Sequence, residues 1–588
     1  MSIKVSPVSS SVRPHVTISA NSNALVGSAD ATDKQLMLIG MARGGKPNEV
    51  YTITTLQQAK DIFRGGDLLD AIEVALTPDD THHSGTILAE RVGEATQATY
   101  KNKGLTLTSK AYSTDANDIQ TSLVKNTLNG TYTLTVDFNM DNYSKTYTNL
   151  GKIMGIYYTG TQGYADVSVV TDVATDTVND KDKHTNQATQ LVLKAGADKG
   201  SASVVHKFAI GSGKFSEIKD LITGINEIAG FNAVYFHIGN KNIETKYLDA
   251  VDSLELSKDS TNPTYLTSLG GDIVNSVNNI EDDSAISADY DPAGGEPDVY
   301  DFESLTGGTA SEIAPESWVD SINNFTAKPG YYLVPLTSDI GVQTEAASFC
   351  SERNKEADPR AVIVGGGIND SMNASMKRSS LLRSREVRVA VNGVSGSRAM
   401  SDGSVRDLPA YIIAAQIGGL ATGLNIGESI TLKHLNLVDI DQKYTKAQLD
   451  TLNRNGVIGV EYTREQNNQV FRVTNDITSA IILSEDPVET ELATGEVVDY
   501  LVTGLRTELE QTFIGTSTTL SSAADIKTAV ISYLQQEENN DIIQDYKESD
   551  IHVVVKAEAV KISITCVLTR TLKTIDVSLN FVDEELVA

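Results

Sequence analysis

The sequence has few of the residues that build covalent or membrane-bound frameworks. Its 588 residues include two cysteines, Cys350 and Cys566, each in an apolar pattern and far from the other. We expect both to be small core residues in a reducing compartment rather than parts of a disulfide framework. No apolar run approaches the roughly 18 residues that cross a bilayer, which excludes membrane insertion. Residues 1–16 lack the apolar centre of a secretory signal, so we expect the protein to stay where it is made.

Positive charge is also scarce. Lys and Arg together number 48 against 78 Asp and Glu, which gives a formal net charge of −30. Phosphate repulsion would dominate an encounter with DNA or RNA, so nucleic acid is excluded as a partner. The hydrophobic fraction of 40% is ordinary for a globular protein, and the length predicts about three or four domains.

A complete phosphate-binding loop is missing as well. Gly40, Gly45 and Lys46 have the spacing of a nucleotide-binding loop, but Pro47 stands where Ser or Thr would supply a hydroxyl to magnesium. The following residues, NEVYTI, favour extended chain where a phosphate-binding helix should begin. We therefore predict a structural turn, with a P-loop enzyme as the remote alternative.

No other motif assembles a catalytic, metal or cofactor site. The loop 365–367 lacks dinucleotide-binding spacing, and Ser395 lacks the spacing of a nucleophile elbow. His82 and His83 are adjacent and cannot share one helix face as zinc ligands. The acidic segment 281–303 lacks the ligand register of an EF-hand and is predicted to be a solvated loop or linker. We expect no enzyme activity and no cofactor.

The hydrophobic pattern predicts an α/β (α+β) multidomain chain with an interruption. Strand LMLIG precedes two segments with helical spacing, TLQQAKDIF and LLDAIEVAL. Short strands rich in Thr, Asp, Asn and Gly then follow at turn-bounded intervals, and they predict mostly β inserted domains. The α/β pattern returns with YYLVPL and AVIVGGG, and later with the helices VVDYLVTGLRTELEQTF and AADIKTAVISYLQQ.

These patterns divide the chain into six predicted segments. In order they are an N-terminal arm (1–25), a first part of the core domain (26–103), inserted outer domains (104–310), an α/β domain (311–480), a C-terminal part of the core (481–571) and a C-terminal arm (572–588).

Both arms carry a short alternating strand, and a hairpin is predicted just before the second arm. HVTIS contains Val16, Thr17 and Ile18, and TIDVSLNFV places Ile575, Val577, Leu579 and Phe581 on one face. An exposed alternating strand needs a sheet partner, because its free edge otherwise aggregates. Exchange of such strands between subunits, head to tail and without closure, produces a helical polymer.

One segment is locally basic. Between residues 377 and 398 the only acid is Glu386, and the basic residues are Lys377, Arg378, Arg383, Arg385, Arg388 and Arg398. Such a cluster on an acidic protein indicates either a complementary acidic partner, which another copy could supply, or a solvated face.

Several of these segments, in this order, resemble one family. RPHVTIS, LMLIGMARGGKPNEVYTITTLQQAKDIFRGGDLLDAIEVAL, RAVIVGGGIND, LPAYIIAAQIGGLATGLNIGESITLKHL, LDTLNRNGVIGVEY and LEQTFIGT are similar to the contractile tail sheath proteins of large tailed bacteriophages, especially those of Gram-positive hosts. The similarity covers the start and the C-terminal half, and little of it lies in residues 130–310.

The resemblance implies a core domain built from both chain ends and assembled as stacked hexameric rings around a tail tube. It implies that the two terminal strands are donated to neighbouring subunits. The hairpin from His552 to Leu568, with Val553, Val555, Ile562 and Ile564, would accept them.

The implied partners are the chain itself, the tail tube protein, and the baseplate and tail terminator proteins. The protein would be assembled in the host cytoplasm and lie in the virion tail. Arg383, Arg385 and Arg388 are predicted to contact an acidic surface of a neighbour or of the tube. The sheath of a phage-derived contractile injection device or bacteriocin is the alternative.

Overall fold

The computed structural model describes residues 34–139, 143–172, 186–279, 285–311, 313–465, 468–515, 523–556 and 559–568. They form two compact units. Unit 1 takes the described residues up to Ala42, Pro47–Gly93, and those from Ile313 onward, whereas unit 2 takes Arg43–Lys46 and Glu94–Glu312. The predicted boundaries of the inserted region, 104 and 310, fall inside unit 2, and the finer segments stay predictions.

The helices are α1 (Leu56–Phe63), α2 (Asp67–Leu76), α3 (Ile218–Asn226), α4 (Leu269–Val277), α5 (Pro315–Asn323), α6 (Ile340–Lys355), α7 (Met372–Leu382), α8 (Ala410–Gly423), α9 (Lys446–Arg454), α10 (Pro487–Thr490), α11 (Leu492–Phe513) and α12 (Ala523–Asn539). The strands up to residue 310 are β1 (Leu36–Gly40), β2 (Val50–Ile53), β3 (Ile87–Arg91), β4 (Ala95–Asn102), β5 (Leu105–Tyr112), β6 (Gln120–Lys125), β7 (Tyr132–Phe138), β8 (Tyr143–Leu150), β9 (Lys152–Tyr158), β10 (Tyr164–Thr171), β11 (Ala188–Gly196), β12 (Ser203–Ala209), β13 (Phe231–Tyr235), β14 (Val251–Glu255), β15 (Thr264–Thr267), β16 (Ile286–Tyr290), β17 (Tyr300–Ser304) and β18 (Thr309–Ala310). The later strands are β19 (Tyr332–Pro335), β20 (Ala361–Gly365), β21 (Val389–Asn392), β22 (Gly396–Ala399), β23 (Val405–Leu408), β24 (His434–Leu435), β25 (Asp439–Ile440), β26 (Val457–Ile458), β27 (Val460–Glu465), β28 (Asn468–Val473), β29 (Ile543–Tyr546), β30 (His552–Lys556), β31 (Ala559–Ser563) and β32 (Cys566–Leu568).

Unit 1 is centred on a seven-stranded sheet in the order β2-β3-β1-β19-β20-β21-β26. Only β2 runs antiparallel to its neighbour, β3. Both sheet faces are covered, so β1 is apolar at every position and fully buried, as a central parallel strand must be. Leu36 and Leu38 pack on one face with α1, α2 and α8. Met37 and Ile39 pack on the other with α5, α6, α7 and α9. The predicted α/β pattern is confirmed.

The C-terminal part of unit 1 has its own hydrophobic cluster. It is formed by α11, α12 and two small sheets, β29-β32 and β30-β31, with Val497, Val530 and Ile543 at its centre. We call this part the C-terminal subdomain. On α11, Val497, Leu505 and Leu509 are buried in this cluster, and Val498 and Leu501 are half-buried against it.

Unit 2 contains two separate hydrophobic cores. Core A is built from residues between Ala98 and Leu150 and between Leu269 and Leu305. Its sheets are β16-β5-β4-β18 and β17-β6-β7-β8. In the sequence, core B lies between the two parts of core A, and its residues run from Ile153 to Leu266. Its sheets are β12-β11-β10-β14 and β13-β9-β15. The mostly β character predicted for this region is therefore observed.

The acidic segment 281–303 is not a loop throughout, and that prediction is wrong for β16 and β17. β16 pairs with β5 in antiparallel register, and Ile286, Ala288 and Tyr290 are buried at alternate positions. β17 pairs with β6. Alternation of small and apolar residues with acids fits a half-buried strand, and the acidic composition conceals that period.

Candidate assembly surfaces

The predicted acceptor hairpin is a two-stranded sheet that is shorter than expected, because it ends at Ser563 and the residues from Cys566 to Leu568 pair with β29 instead. Strands β30 and β31 pair in antiparallel register, with Val553 opposite Ile562 and Val555 opposite Val560. Val553, Ile562 and Ile564 pack against the C-terminal subdomain cluster but remain half-buried. Val555 is also half-buried. A two-stranded hairpin has only marginal stability on its own. The half-buried apolar side chains and the hydrogen-bonding edges of this sheet are what a further strand would cover.

Apolar side chains are exposed on both faces of the hairpin. Val560, which lies on the same face as Val555, is 43% exposed, and Val554 on the opposite face is 49% exposed. Within the described part of the chain, neither β30 nor β31 pairs with another strand. Exposed strand edges of this kind are normally protected in a soluble protein. The hairpin is therefore a suitable site for strand addition.

The second small sheet leads to the end of the described chain. β29 and β32 pair with Ile543 opposite Leu568 and Tyr546 opposite Cys566. Leu568 is the last described residue. Both predicted arms, with Val16, Thr17 and Ile18 in the first and Ile575, Val577, Leu579 and Phe581 in the second, lie outside the described residues. Their pairing stays a prediction.

Helix α11 is fixed to the α/β sheet by charged side chains at its start. The Asp476 carboxylate accepts hydrogen bonds from the backbone N–H groups of Leu492 (3.0 Å) and Ala493 (3.1 Å). One turn later, Glu496 forms an ion pair with Lys34, and Asp499 forms one with Arg388. Residues three apart on a helix share a face, so both acids point at the starts of sheet strands.

Lys34 lies two residues before the start of β1 and is almost entirely buried. Its Nζ donates to the carbonyl oxygens of Ala421 (3.2 Å) and Asn425 (3.0 Å), in addition to the ion pair with Glu496. The Tyr332 hydroxyl donates to Glu496 Oε2 at 2.9 Å. Burial raises the pKa of Glu496, and the charge of Lys34 opposes that shift. This buried network was not predicted, although two acids at helical spacing inside an apolar helix were a usable signal.

The basic segment 377–398 does not form one exposed surface. Arg388 is only 11% exposed and its guanidinium pairs with Asp499. Arg398 is buried and donates to the Thr77 carbonyl at 2.7 Å. Unit 1 itself therefore supplies the counter-charge of Arg388, and the expected contact of Arg388 with a partner stays a prediction.

Two of the predicted arginines do face solvent. Arg385 forms a bidentate pair with Glu489, with Nε to Oε2 at 2.9 Å, and its side chain stays 58% exposed. Arg383 is exposed and donates to the Ser380 hydroxyl at 2.9 Å. The charged contact with a neighbour or the tube stays a prediction for these two residues.

The glycine loops serve close packing in this structure. A Cβ at Gly40 would approach Leu336 Cδ1 to 2.6 Å, and one at Gly365 would lie 2.2 Å from the Ala410 backbone. After the first loop the chain forms β2, not the helix that a phosphate-binding loop requires. Gly40 is therefore explained by close packing of the Leu336 side chain, and Gly365 by close approach of the Ala410 backbone.

The remaining candidate groups have structural partners. The Ser395 hydroxyl donates to Asp441 and accepts from the backbone N–H of Asn369 at 3.0 Å. His82 Nδ1 lies 2.7 Å from Asp79 Oδ2. No group of three potential metal ligands occurs among the residues that the structure describes. No described helix has the length and apolar character needed to cross a membrane.

Curated proteins that share this sequence pattern identify its family. No family model matches the chain. It is 36% identical to the tail sheath protein of Staphylococcus phage Twort, over 98% of both chains. It is 39% identical to a protein assigned to the tail sheath of Enterococcus phage phiEF24C, over 100% of both. The chain belongs to the phage tail sheath protein family. The chain is also 26% identical to the tail sheath protein of Bacillus phage SP01, over 97% of this chain and 96% of that one.

Solved sheath structures share the fold. The sheath tail protein of Desulfitobacterium hafniense matches with a TM-score of 0.54 at 14% identity, over 95% of this chain and 97% of that one. The sheath tail protein of Listeria innocua matches with a TM-score of 0.50 at 11% identity, over 90% and 89%. This tail sheath protein is thus a structural component of the virion tail, and its family has no enzymatic role.

Proposed function

We propose that the protein is the subunit of a contractile tail sheath. In this proposal it polymerises as stacked hexameric rings around the tail tube, and the sheath contracts to drive the tube through the host envelope for genome delivery. The proposal rests on family membership together with one structural observation, the hairpin of β30 and β31. That hairpin presents open edges and half-exposed apolar residues at the C-terminal end of the described chain.

The terminal arms are proposed to link the subunits. Val16, Thr17 and Ile18 of the first arm, and Ile575, Val577, Leu579 and Phe581 of the second, would add strands to the hairpin of neighbouring subunits. Residues Val553, Val555, Ile562 and Ile564 of the hairpin would then become fully buried. Burial of a large aliphatic or aromatic side chain contributes roughly 1.5–3 kcal/mol. An arm with four such side chains therefore supplies enough gross stabilisation to hold a lattice together.

Contraction is proposed to be a transition between two packings of one polymer. Subunits would assemble in an extended state held by the tail tube, and a signal from the baseplate would release a better-packed state. The free energy would be stored at assembly, so no nucleotide is needed. Paired arms would keep the lattice connected while the units move. The tube, baseplate and tail terminator proteins are the proposed partners, and assembly would take place in the host cytoplasm.

Electron microscopy of two forms of the chain tests this proposal. The full-length protein is expected to form striated tubes, and a variant lacking residues 572–588 is expected to remain monomeric. Tubes from both forms would show that the C-terminal arm is not the link. If neither forms tubes, the test is repeated with the tail tube protein as template, and failure of the full-length chain there too would refute the proposal.

A further inference from the structure

The two cores of unit 2 are joined through a narrow polar region. The chain passes from core A to core B between Leu150 and Ile153, and it returns between Leu266 and Leu269. Helix α4 begins immediately at the return. Core B is therefore attached by two chain segments and by the side chains that bridge them. Those bridging groups include three carboxyls.

The first carboxyl belongs to Asp272 on α4, which is fully buried. Its Oδ2 accepts from the backbone N–H of Gly151 at 2.9 Å, which lies in the outgoing segment. Its Oδ1 accepts from Asn240 Nδ2 of the core B part at 3.2 Å. Nearby, Asn275 Nδ2 donates to the Gly239 carbonyl at 2.8 Å. One side of α4 thus connects both cores by hydrogen bonds.

The other two carboxyls form a pair. Asp249, from the core B part, and Glu296, from the core A part, are hydrogen-bonded to each other. Glu296 Oε2 also accepts from the backbone N–H of Leu269 at 3.2 Å, and Oε1 accepts from the Tyr290 hydroxyl at 3.1 Å. Asp249 Oδ2 accepts from the Thr267 hydroxyl at 2.6 Å. Two carboxyls can share a hydrogen bond only when one of them carries a proton.

We propose that Asp249, Glu296 and Asp272 form a proton-dependent joint between cores A and B. When the Asp249–Glu296 pair shares a proton, the two cores are held together across the return segment. When the pair ionises fully, two carboxylates face each other in a half-buried site, and core B separates more readily from core A.

The direction of the pH dependence follows from burial. Desolvation raises the pKa of Glu296 to about 8, that of Asp272 to about 7, and that of Asp249 as well. Each group binds its proton more tightly in the closed joint than in an open, solvated one. Their stabilisation of the joint is therefore complete in acid and is lost as pH rises through about 7 to 8.

The neighbouring groups do not reverse that direction. The groups that act on the pair itself are each other, the Tyr290 and Thr267 hydroxyls, and backbone N–H groups. The further titratable and charged groups around the joint include Tyr247, Lys246 and Glu244 on the core B side, and Asp289 and Asp291 on the core A side. Burial lowers the pKa of His237, which lies three residues before Asn240, so His237 gains no charge as pH rises. Lys246 is paired with Glu244. Burial also raises the pKa values of Tyr247 and Tyr290, so both stay neutral in this range.

Hydrogen exchange of the full-length chain tests the joint. The amides of Gly151 and Leu269 report its closure, since their N–H groups bond to Asp272 and Glu296. After correction for intrinsic exchange, we expect their protection to fall about tenfold or more between pH 6 and pH 8.5, because one unit of pKa difference corresponds to a factor of ten. Amides inside β10, in core B, should keep their protection.

Matched variants distinguish the effect of proton binding from a general loss of stability. Asp249→Asn keeps the acceptor for Thr267 and offers an amide that donates to Glu296 permanently. The fall in protection at Leu269, whose N–H bonds to Glu296, should therefore largely disappear, whereas Gly151 keeps the part of the fall that Asp272 carries. Glu296→Gln supplies the same amide from the other side and serves if the first variant does not fold. Glu227→Gln, at an exposed acid in core B, should retain the wild-type pH dependence. Constant protection in the wild type, or an unchanged fall in both amide variants, would overturn the proposal.

Discussion

The buried pair of Lys34 and Glu496 gives the sharpest stability prediction for unit 1. The two side chains are 4% and 5% exposed, so each charge depends on the other. Replacing Glu496 by Leu leaves the Lys34 ammonium buried with only two carbonyl acceptors, and the Tyr332 hydroxyl loses its acceptor. Removing one partner of a buried pair costs about 3–5 kcal/mol. Roughly 1–2 kcal/mol of this would arise from the hydroxyl.

Trp318 provides the assay because it is the only tryptophan of the sequence and is buried in unit 1. Its fluorescence in a urea titration therefore reports the unfolding of that unit. Glu496→Leu should lower the unfolding midpoint strongly, and the double variant Lys34→Met/Glu496→Leu should recover much of the loss. Lys355→Met, at an ion pair whose two side chains are 64% and 65% exposed, should leave the midpoint unchanged. A Glu496→Leu midpoint equal to that of the wild type would refute the reasoning.

Three further predictions concern unit 1 and its surface. Glu90 is fully buried in β3 and its pKa is raised to about 7, so its contribution to the stability of unit 1 is complete in acid and falls as pH rises. Glu90→Gln should therefore stabilise unit 1 by about 2–3 kcal/mol at pH 8 and have little effect at pH 4. Equal effects at the two pH values would contradict this prediction. Gly40→Ala should cost about 1–3 kcal/mol in the same urea titration, because its Cβ would lie 2.6 Å from Leu336, and an unchanged midpoint would disprove the packing argument. The double variant Arg383→Ala/Arg385→Ala should form fewer tubes, and its assembly, followed by light scattering, should depend less on salt. Unchanged assembly would refute the proposed charged contact.

The sequence predicted the elements whose period is unambiguous. The run LMLIG became a strand buried on both faces, and the helical spacing in LLDAIEVAL became α2. In β16 the same reasoning failed, because the acidic composition of residues 281–303 concealed an alternating pattern that only pairing with β5 reveals. Local composition reports solvent preference, whereas strand formation also depends on a distant partner.

Charge partners were the least predictable part of the assembly surfaces. The sequence grouped Arg383, Arg385 and Arg388, yet the structure separates them. Arg388 meets Asp499, more than a hundred positions away in the chain, and Arg385 meets Glu489. Such pairings follow from where α10 and α11 lie against the segment before β21, which no local pattern encodes. The hairpin was easier to predict from the sequence, because its two strands are consecutive in the chain and a short connection fixes their register.

A high-resolution reconstruction of assembled tubes by cryo-electron microscopy tests strand exchange between subunits. A strand from residues 574–582 of one subunit is expected to lie along the β30–β31 hairpin of another, with Val553 and Ile562 buried beneath it. If those residues instead pair with their own subunit's hairpin, or if the hairpin edges remain free in the tube, strand exchange does not hold the sheath together.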